Sequence, residues 1–215
     1  VIASIALSKG KVKLARLNVS QSLLFVSVLT MVLSVLMMAD LNKTAYVLGS
    51  SDYLLPLVRD YLFWFVPTLV FEVVILISMF VIRLDGAPKF AMWFNLISSA
   101  INIVLDWLFI FPLQMGIGGA ALATAISIFV GAVLSMWYLL FQAKSLRLYP
   151  LSIGLRGFYL FVKAIAGQCY VGMAALWTEA MLAVLMFMGN HIFMRYLGDN
   201  GVGAFGVSCY YIPFV

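Results

Sequence analysis

Charge is scarce in this chain: Asp, Glu, Lys and Arg make up 10% of its 215 residues, while 65% are hydrophobic. A soluble domain is roughly half apolar and about a quarter charged. A water-soluble core cannot absorb that excess, but a lipid-facing surface can. Histidine occurs once and cysteine twice, with no Cys-x-x-Cys, which argues against haem, iron–sulfur or zinc chemistry. Cys169 and Cys209 lie in apolar runs and read as buried small hydrophobes. No GxxxxGK[ST] phosphate loop is present, so nothing points to ATP as the energy source. The short alternating strands of an outer-membrane barrel are also missing. Apolar runs of roughly 20 residues recur instead, the length a helix needs to cross a bilayer. The fold class expected is therefore all-α: a polytopic bundle of membrane helices.

The basic residues are grouped. Lys9, Lys11, Lys13 and Arg16 form one cluster, Arg83 and Lys89 a second, and Lys144, Arg147, Arg156 and Lys163 a third. The positive-inside rule makes all three cytoplasmic, and their separation into loops argues against nucleic-acid binding. The expected spans are 19–38, 54–82, 90–111, 117–142 and 165–194, with a sixth starting at 207–215; they alternate in direction without conflict. Pro67 should kink the second span and act as a hinge. Gly86 and Pro88 stop one helix and start the next. Residues 41–55, 112–119 and 195–206 are expected as outer loops, and 9–16, 83–89 and 143–163 as inner ones. No signal peptide is recognisable. The chain begins at Val1 inside a helix-like segment and ends in the apolar YYIPFV, so it is expected to be a fragment of a longer protein.

Polar residues inside the spans are the candidates for function, because an ionisable group there is costly. Asn95, Asn102 and Asp106 lie seven and four residues apart and so share one helix face. Asp106 and Thr124 are each nine residues from Met115, which gives them similar depth on two antiparallel helices. Carboxylate, amide and hydroxyl oxygens together could take a proton or a small cation; interhelical hydrogen bonding is the structural alternative. Glu179 sits near the middle of the fifth span with no basic residue within a turn, a second proton or cation candidate. Glu72, five residues after Pro67, is a weaker one. The small residues from Gly116 to Ala125 are explained by close helix packing alone. His191, Arg195 and Asp199 read as solvated at an outer membrane edge.

The stretch RLDGAPK, the pattern of Asn95, Asn102 and Asp106, and IFPLQMGIGGAALAT together resemble helices five and six of the multidrug and toxic compound extrusion (MATE) transporters. SIALSKGKVKLAR resembles that family's loop between helices two and three, and RYLGDNGVGAFGV its outer loop after helix seven. The resemblance implies a twelve-helix protein of two six-helix lobes. On it, residues 1–143 are most of the first lobe, 144–164 the cytoplasmic connection between lobes, and 165–215 the start of the second. It also implies a first-lobe cation site at Asn102, Asp106 and Thr124 and a second-lobe site at Glu179.

The function expected is a multi-pass antiporter of the cytoplasmic membrane. It would export amphipathic, often cationic, compounds in exchange for H+ or Na+, and it would not transform them covalently. Its partners would be the bilayer, those solutes and the coupling ion. It would need no cofactor and act as a monomer. A lipid-linked oligosaccharide flippase of the same superfamily is the nearer alternative, and an integral membrane lipid-modifying enzyme the more distant one. The scattered acidic residues in the spans favour cationic solutes.

Overall fold

Hydropathy and helix punctuation account for most of the element order. A computed structural model describes residues 2–149 and 155–209. The helices are α1 (Ile2–Ser8), α2 (Val12–Ala39), α3 (Leu41–Val47), α4 (Leu55–Phe65), α5 (Leu69–Leu84), α6 (Pro88–Ile110), α7 (Gly116–Trp137) and α8 (Leu155–Cys209). Among the described residues, five segments are long and apolar enough to cross a membrane: Val12–Ala39, Leu55–Leu84, Pro88–Ile110, Gly116–Gln142 and Phe161–Gly198. The protein is an all-α, multi-pass membrane protein.

Proline marks two of the boundaries. Pro88 opens α6 at its first turn, where a missing N–H costs nothing. Pro67 cannot donate to the turn before it, and the chain passes through a 3-10 segment at Val66–Thr68 between α4 and α5. Neighbours cover the polar groups at this break. Ser34 Oγ on α2 donates to the Val66 carbonyl at 2.8 Å, and Thr68 Oγ1 donates to the Phe65 carbonyl at 2.6 Å. A second irregularity, a π-turn at Tyr138–Gln142, ends α7.

Small residues govern how α7 sits in the bundle. Its buried positions include Gly119, Ala121, Ala123, Ser127, Gly131, Ala132 and Ser135, the kind of face on which membrane helices approach closely. A Cβ added at Gly131 would lie 3.0 Å from Ile75 Cδ1 of α5 and 3.2 Å from Ser98 Oγ of α6. Ser98 Oγ in turn donates to the Ser127 carbonyl at 2.8 Å. By contrast α2 presents Val28, Met31, Val35 and Leu36 to the outside, as a lipid-facing surface would.

Several boundaries differ from the sequence reading. The first span begins at Val12 rather than 19, so Lys13 and Arg16 ride on α2 itself; long basic side chains can keep their charge in water from a helix end. The expected outer loop 41–55 contains α3. Its start is fixed by Asp40, which accepts the Lys43 backbone N–H at 3.0 Å and pairs with the Lys43 ammonium at 3.0 Å. Those bonds, the backbone one first, hold the Asp40 carboxyl below its usual range. In the expected inner connection 143–163, residues 143–149 are non-helical and α8 already runs from Leu155; residues 150–154 lie outside the described ones. The expected outer loop 195–206 is mostly helix. The turn there is concentrated at Gly198 (φ 64, ψ −160), a backbone that glycine adopts without a Cβ clash. The chain then folds back, with Phe205 stacked on Phe193 at 4.8 Å and lying over Gly189. Helix therefore resumes before 207, and residues 210–215 of the expected sixth span lie outside the described ones. Cys169 is exposed and Cys209 partly so, and both are free thiols. Both stand on α8, most of whose described positions are exposed.

Gly131→Leu in the full-length protein is expected to destabilise it by about 1–3 kcal/mol, the cost of overpacking a tight contact. Thermal unfolding in detergent checks this: an unchanged midpoint would mean that α7 does not approach α5 and α6 so closely.

Candidate functional site

The hairpin of α6 and α7 brings Asn102 and Thr124 together. Asn102 Nδ2 donates to Thr124 Oγ1 at 3.4 Å, and Thr124 Oγ1 donates to the Ala120 carbonyl at 3.0 Å. Both residues are half-buried. The hairpin is tight because Phe111 to Met115 close it in a few residues, with the Met115 N–H reaching the Phe109 carbonyl at 2.9 Å. The threonine hydroxyl thus meets Asn102, one turn deeper along α6 than Asp106. Asp106 lies one turn further toward the hairpin, on the same face. Its Oδ1 is buried and accepts no hydrogen bond. An orphaned carboxylate oxygen inside a helix bundle is costly, and it leaves an acceptor free for a proton or a cation.

The other candidates are not gathered with this group. Asn95 lies two turns further down α6 and is exposed; its Nδ2 points to Met79 Sδ at 2.9 Å. It lines a small void with Ser98, Gly131 and Ser135. Glu72 occupies the first turn of α5, just beyond the Pro67 break, and is half-buried. Glu179 stands on α8 and is exposed. Two polar contacts flank it. Near the start of α8, Ser22 Oγ and Gln168 Oε1 are 2.6 Å apart and Gln168 Nε2 donates to Asn18 Oδ1 at 3.2 Å. Toward its far end, Asn190 Nδ2 donates to the Leu48 carbonyl at 2.9 Å.

Two groups escaped the sequence reading. Asn18, Ser22 and Gln168 border a cavity of about 510 Å³ between α1, α2, α5 and α8. Their signal was present, as polar residues in apolar runs, but each is isolated in sequence. Asp85 is the other: it takes up the backbone N–H groups of Lys144, Ser145 and Leu146. Nothing local to RLDGAPK reveals partners some 60 residues away.

Thr124→Val removes the hydroxyl that Asn102 meets. Interhelical hydrogen bonds in membranes average about 0.6 kcal/mol, so a small fall in unfolding midpoint is expected in the full-length protein. A loss several times larger would make this pair a structural fastening first.

The MatE family model matches residues 1–108. The multidrug export protein MepA of Staphylococcus saprophyticus is 25% identical over 174 residues, covering 80% of this chain and 37% of its own length. MepA of Staphylococcus aureus strain MRSA252 matches to the same extent. Among solved structures, an inward-facing multidrug resistance MATE family transporter of the MOP superfamily superposes with a TM-score of 0.78 at 20% identity, over 94% of this chain and 45% of that one. A MOP superfamily transporter from Pyrococcus furiosus, whose binding pocket is described as of reverse polarity, gives 0.76 at 20% identity over 99% and 46%. The chain spans little more than a third of the MepA proteins and under half of the solved chains.

Proposed function

The chain belongs to the MatE family, and from that premise we propose that the full-length protein is a multidrug efflux antiporter of the cytoplasmic membrane. It exports amphipathic, often cationic, solutes against an inward flow of H+ or Na+. The names of the MepA relatives support multidrug export. The observation that carries cation coupling is the buried, unpartnered Asp106 Oδ1, one helical turn from the Asn102–Thr124 pair. In this reading Asp106 takes the cation, and the Asn102 amide and Thr124 hydroxyl supply neutral oxygens. Glu179 is the carboxylate of a second site, completed by helices that follow this chain. Pro67 serves as the hinge of the second span, and Glu72 and Asn95 are weaker candidates for the coupling step.

The proposed division has residues 1–143 in the first lobe, 144–164 in the connection and 165–215 in the second lobe, with the protein acting as a monomer in the bilayer. Glu72 and Glu179 stand near the middle of their spans, whereas Lys13, Arg16, Arg59, Arg83, Lys89, Lys163 and Arg195 lie toward span ends. That supports cationic cargo over the pyrophosphate of a lipid-linked sugar.

The mechanism follows from charge. A carboxylate in a low-dielectric bundle is costly when ionised and unpaired, and a proton or Na+ removes that cost. Occupancy can thereby bias how α6 and α7 pack, which is the coupling that alternating access between two lobes needs. Asp106→Asn mimics permanent protonation. In the full-length protein it is expected to abolish ion-coupled counterflow while leaving drug binding measurable. Wild-type coupling rate and stoichiometry in Asp106→Asn would make the aspartate structural and end this reading.

Glu179→Gln is expected to reduce dye efflux with expression nearly intact. Normal efflux by this variant in proteoliposomes, across a range of imposed ion gradients, would remove Glu179 from the mechanism.

A further inference from the structure

An aspartate at the C-terminal end of a helix faces the negative end of the helix dipole, an unfavourable place for a carboxylate. Asp85 sits there, following Leu84 at the end of α5. Its compensation comes from a distant part of the chain. Oδ2 accepts the Lys144 N–H at 2.9 Å, and Oδ1 accepts the Ser145 N–H at 2.7 Å and the Leu146 N–H at 2.8 Å. The Tyr138 hydroxyl donates to Oδ2 at 3.2 Å. Three successive backbone N–H groups on one carboxylate form an anion cradle, and such charge-assisted bonds are roughly twice as strong as neutral ones.

The same segment is held from its other side. Arg16 on α2 donates from Nε to the Ser145 carbonyl at 2.7 Å and from Nη2 to the Lys144 carbonyl at 3.2 Å. The Tyr149 N–H donates to Ser20 Oγ at 2.9 Å. The Ala143 and Leu148 N–H groups return to the carbonyls of Tyr138 and Leu139. Leu146 is 0% exposed, in a cluster with Ala15, Val19, Ile82 and Leu139. A stretch without regular structure has thus given most of its backbone polar groups fixed partners on α2, on the π-turn and at the α5–α6 turn.

The geometry points to Asp85 as the anchor of a clasp that makes residues 143–149 a mechanical part of α1–α7. The segment that leads toward α8 is then no slack tether. It keeps its place on the ends of α2 and α5 whichever side of the membrane the cavity opens to. The two-sided cavity belongs to the proposed antiport and this last statement rests on that reading; the clasp itself does not.

Two measurements on the full-length protein in lipid nanodiscs test it. In Asp85→Asn, amide hydrogen exchange across 143–149 is expected to quicken about tenfold or more relative to wild type, while α6 keeps its protection. Unchanged exchange at 144–146 overturns the anchor. The second measurement leaves Asp85 in place, which matters if the variant fails to insert. Spin labels at Lys89→Cys and Lys144→Cys, in a cysteine-free background, are expected to give one distance distribution under conditions favouring opposite cavity openings. A distribution that shifts between them overturns the clasp. Neither readout uses transport, so a failed antiport reading and a failed clasp are told apart.

Discussion

The close approach of α7 to α5 and α6 is the contact on which the rest of the bundle depends. It exists because α7 carries glycine, alanine and serine where a soluble helix would carry leucine. In lipid, helices gain little from hiding apolar surface from one another, so backbone proximity and hydrogen bonds must supply the association. Gly131 lets Ile75 and Ser98 come within contact distance on two sides. Once the backbones are that near, Ser98 can reach the Ser127 carbonyl and Asn102 can reach Thr124. A bulkier residue at Gly131 would push α6 outward, and the polar pair two turns away would part with it. The small-residue stripe carries no chemistry itself, yet it sets the distance at which Asn102 meets Thr124.

Two aspartates show opposite uses of one side chain. Asp85 has both oxygens engaged, by three backbone N–H groups and a tyrosine hydroxyl. It has little acceptor capacity left for an exchangeable ion, and what it can do is hold a segment still. Asp106 has a buried oxygen with no donor. Burial without a partner costs stability, so it persists only where something recovers the cost. A bound proton or cation can do that, and a ligand of this kind can leave again.

What was legible in the sequence divides along physical lines. Span number and approximate position follow from local hydropathy, and the Pro67 break from a single missing N–H. The facing of α6 and α7 follows from helix rise and a short turn; counting outward from Met115 sets Thr124 level with Asp106, one turn short of the Asn102 it meets. The misses have other causes. Lys13 and Arg16 looked like loop because they are charged, but a side chain four carbons long can sit on a helix end and still reach water. Residues 195–206 looked like loop because they are rich in glycine; a single left-handed Gly198 makes the turn and the remaining glycines stay helical. Asp85 passes unnoticed in the short inner turn 83–89, because its partners at 144–146 become neighbours only once α6 and α7 have packed.

The joint of α8 with α2 and the end of α3 is built differently from the α6–α7 hairpin, and the difference bears on motion. Among the described residues, Gln168 with Asn18 and Ser22 holds one end of it, and Asn190 with the Leu48 carbonyl holds the other. Glu179 stands midway, eleven residues from each, on a face left exposed. Bonds of this neutral kind within a membrane are weak, on the order of 0.6 kcal/mol. A pair of weak fastenings, beside a cavity of about 510 Å³ at one end, suits the two bodies that separate and rejoin in the proposed antiporter. The glycine-packed hairpin, whose contacts run along both helices, suits one body that must stay whole. A carboxylate placed on the separable side and another inside the rigid side would feel the same motion in different ways. The first changes its surroundings when the joint opens; the second changes them when its own charge is taken up.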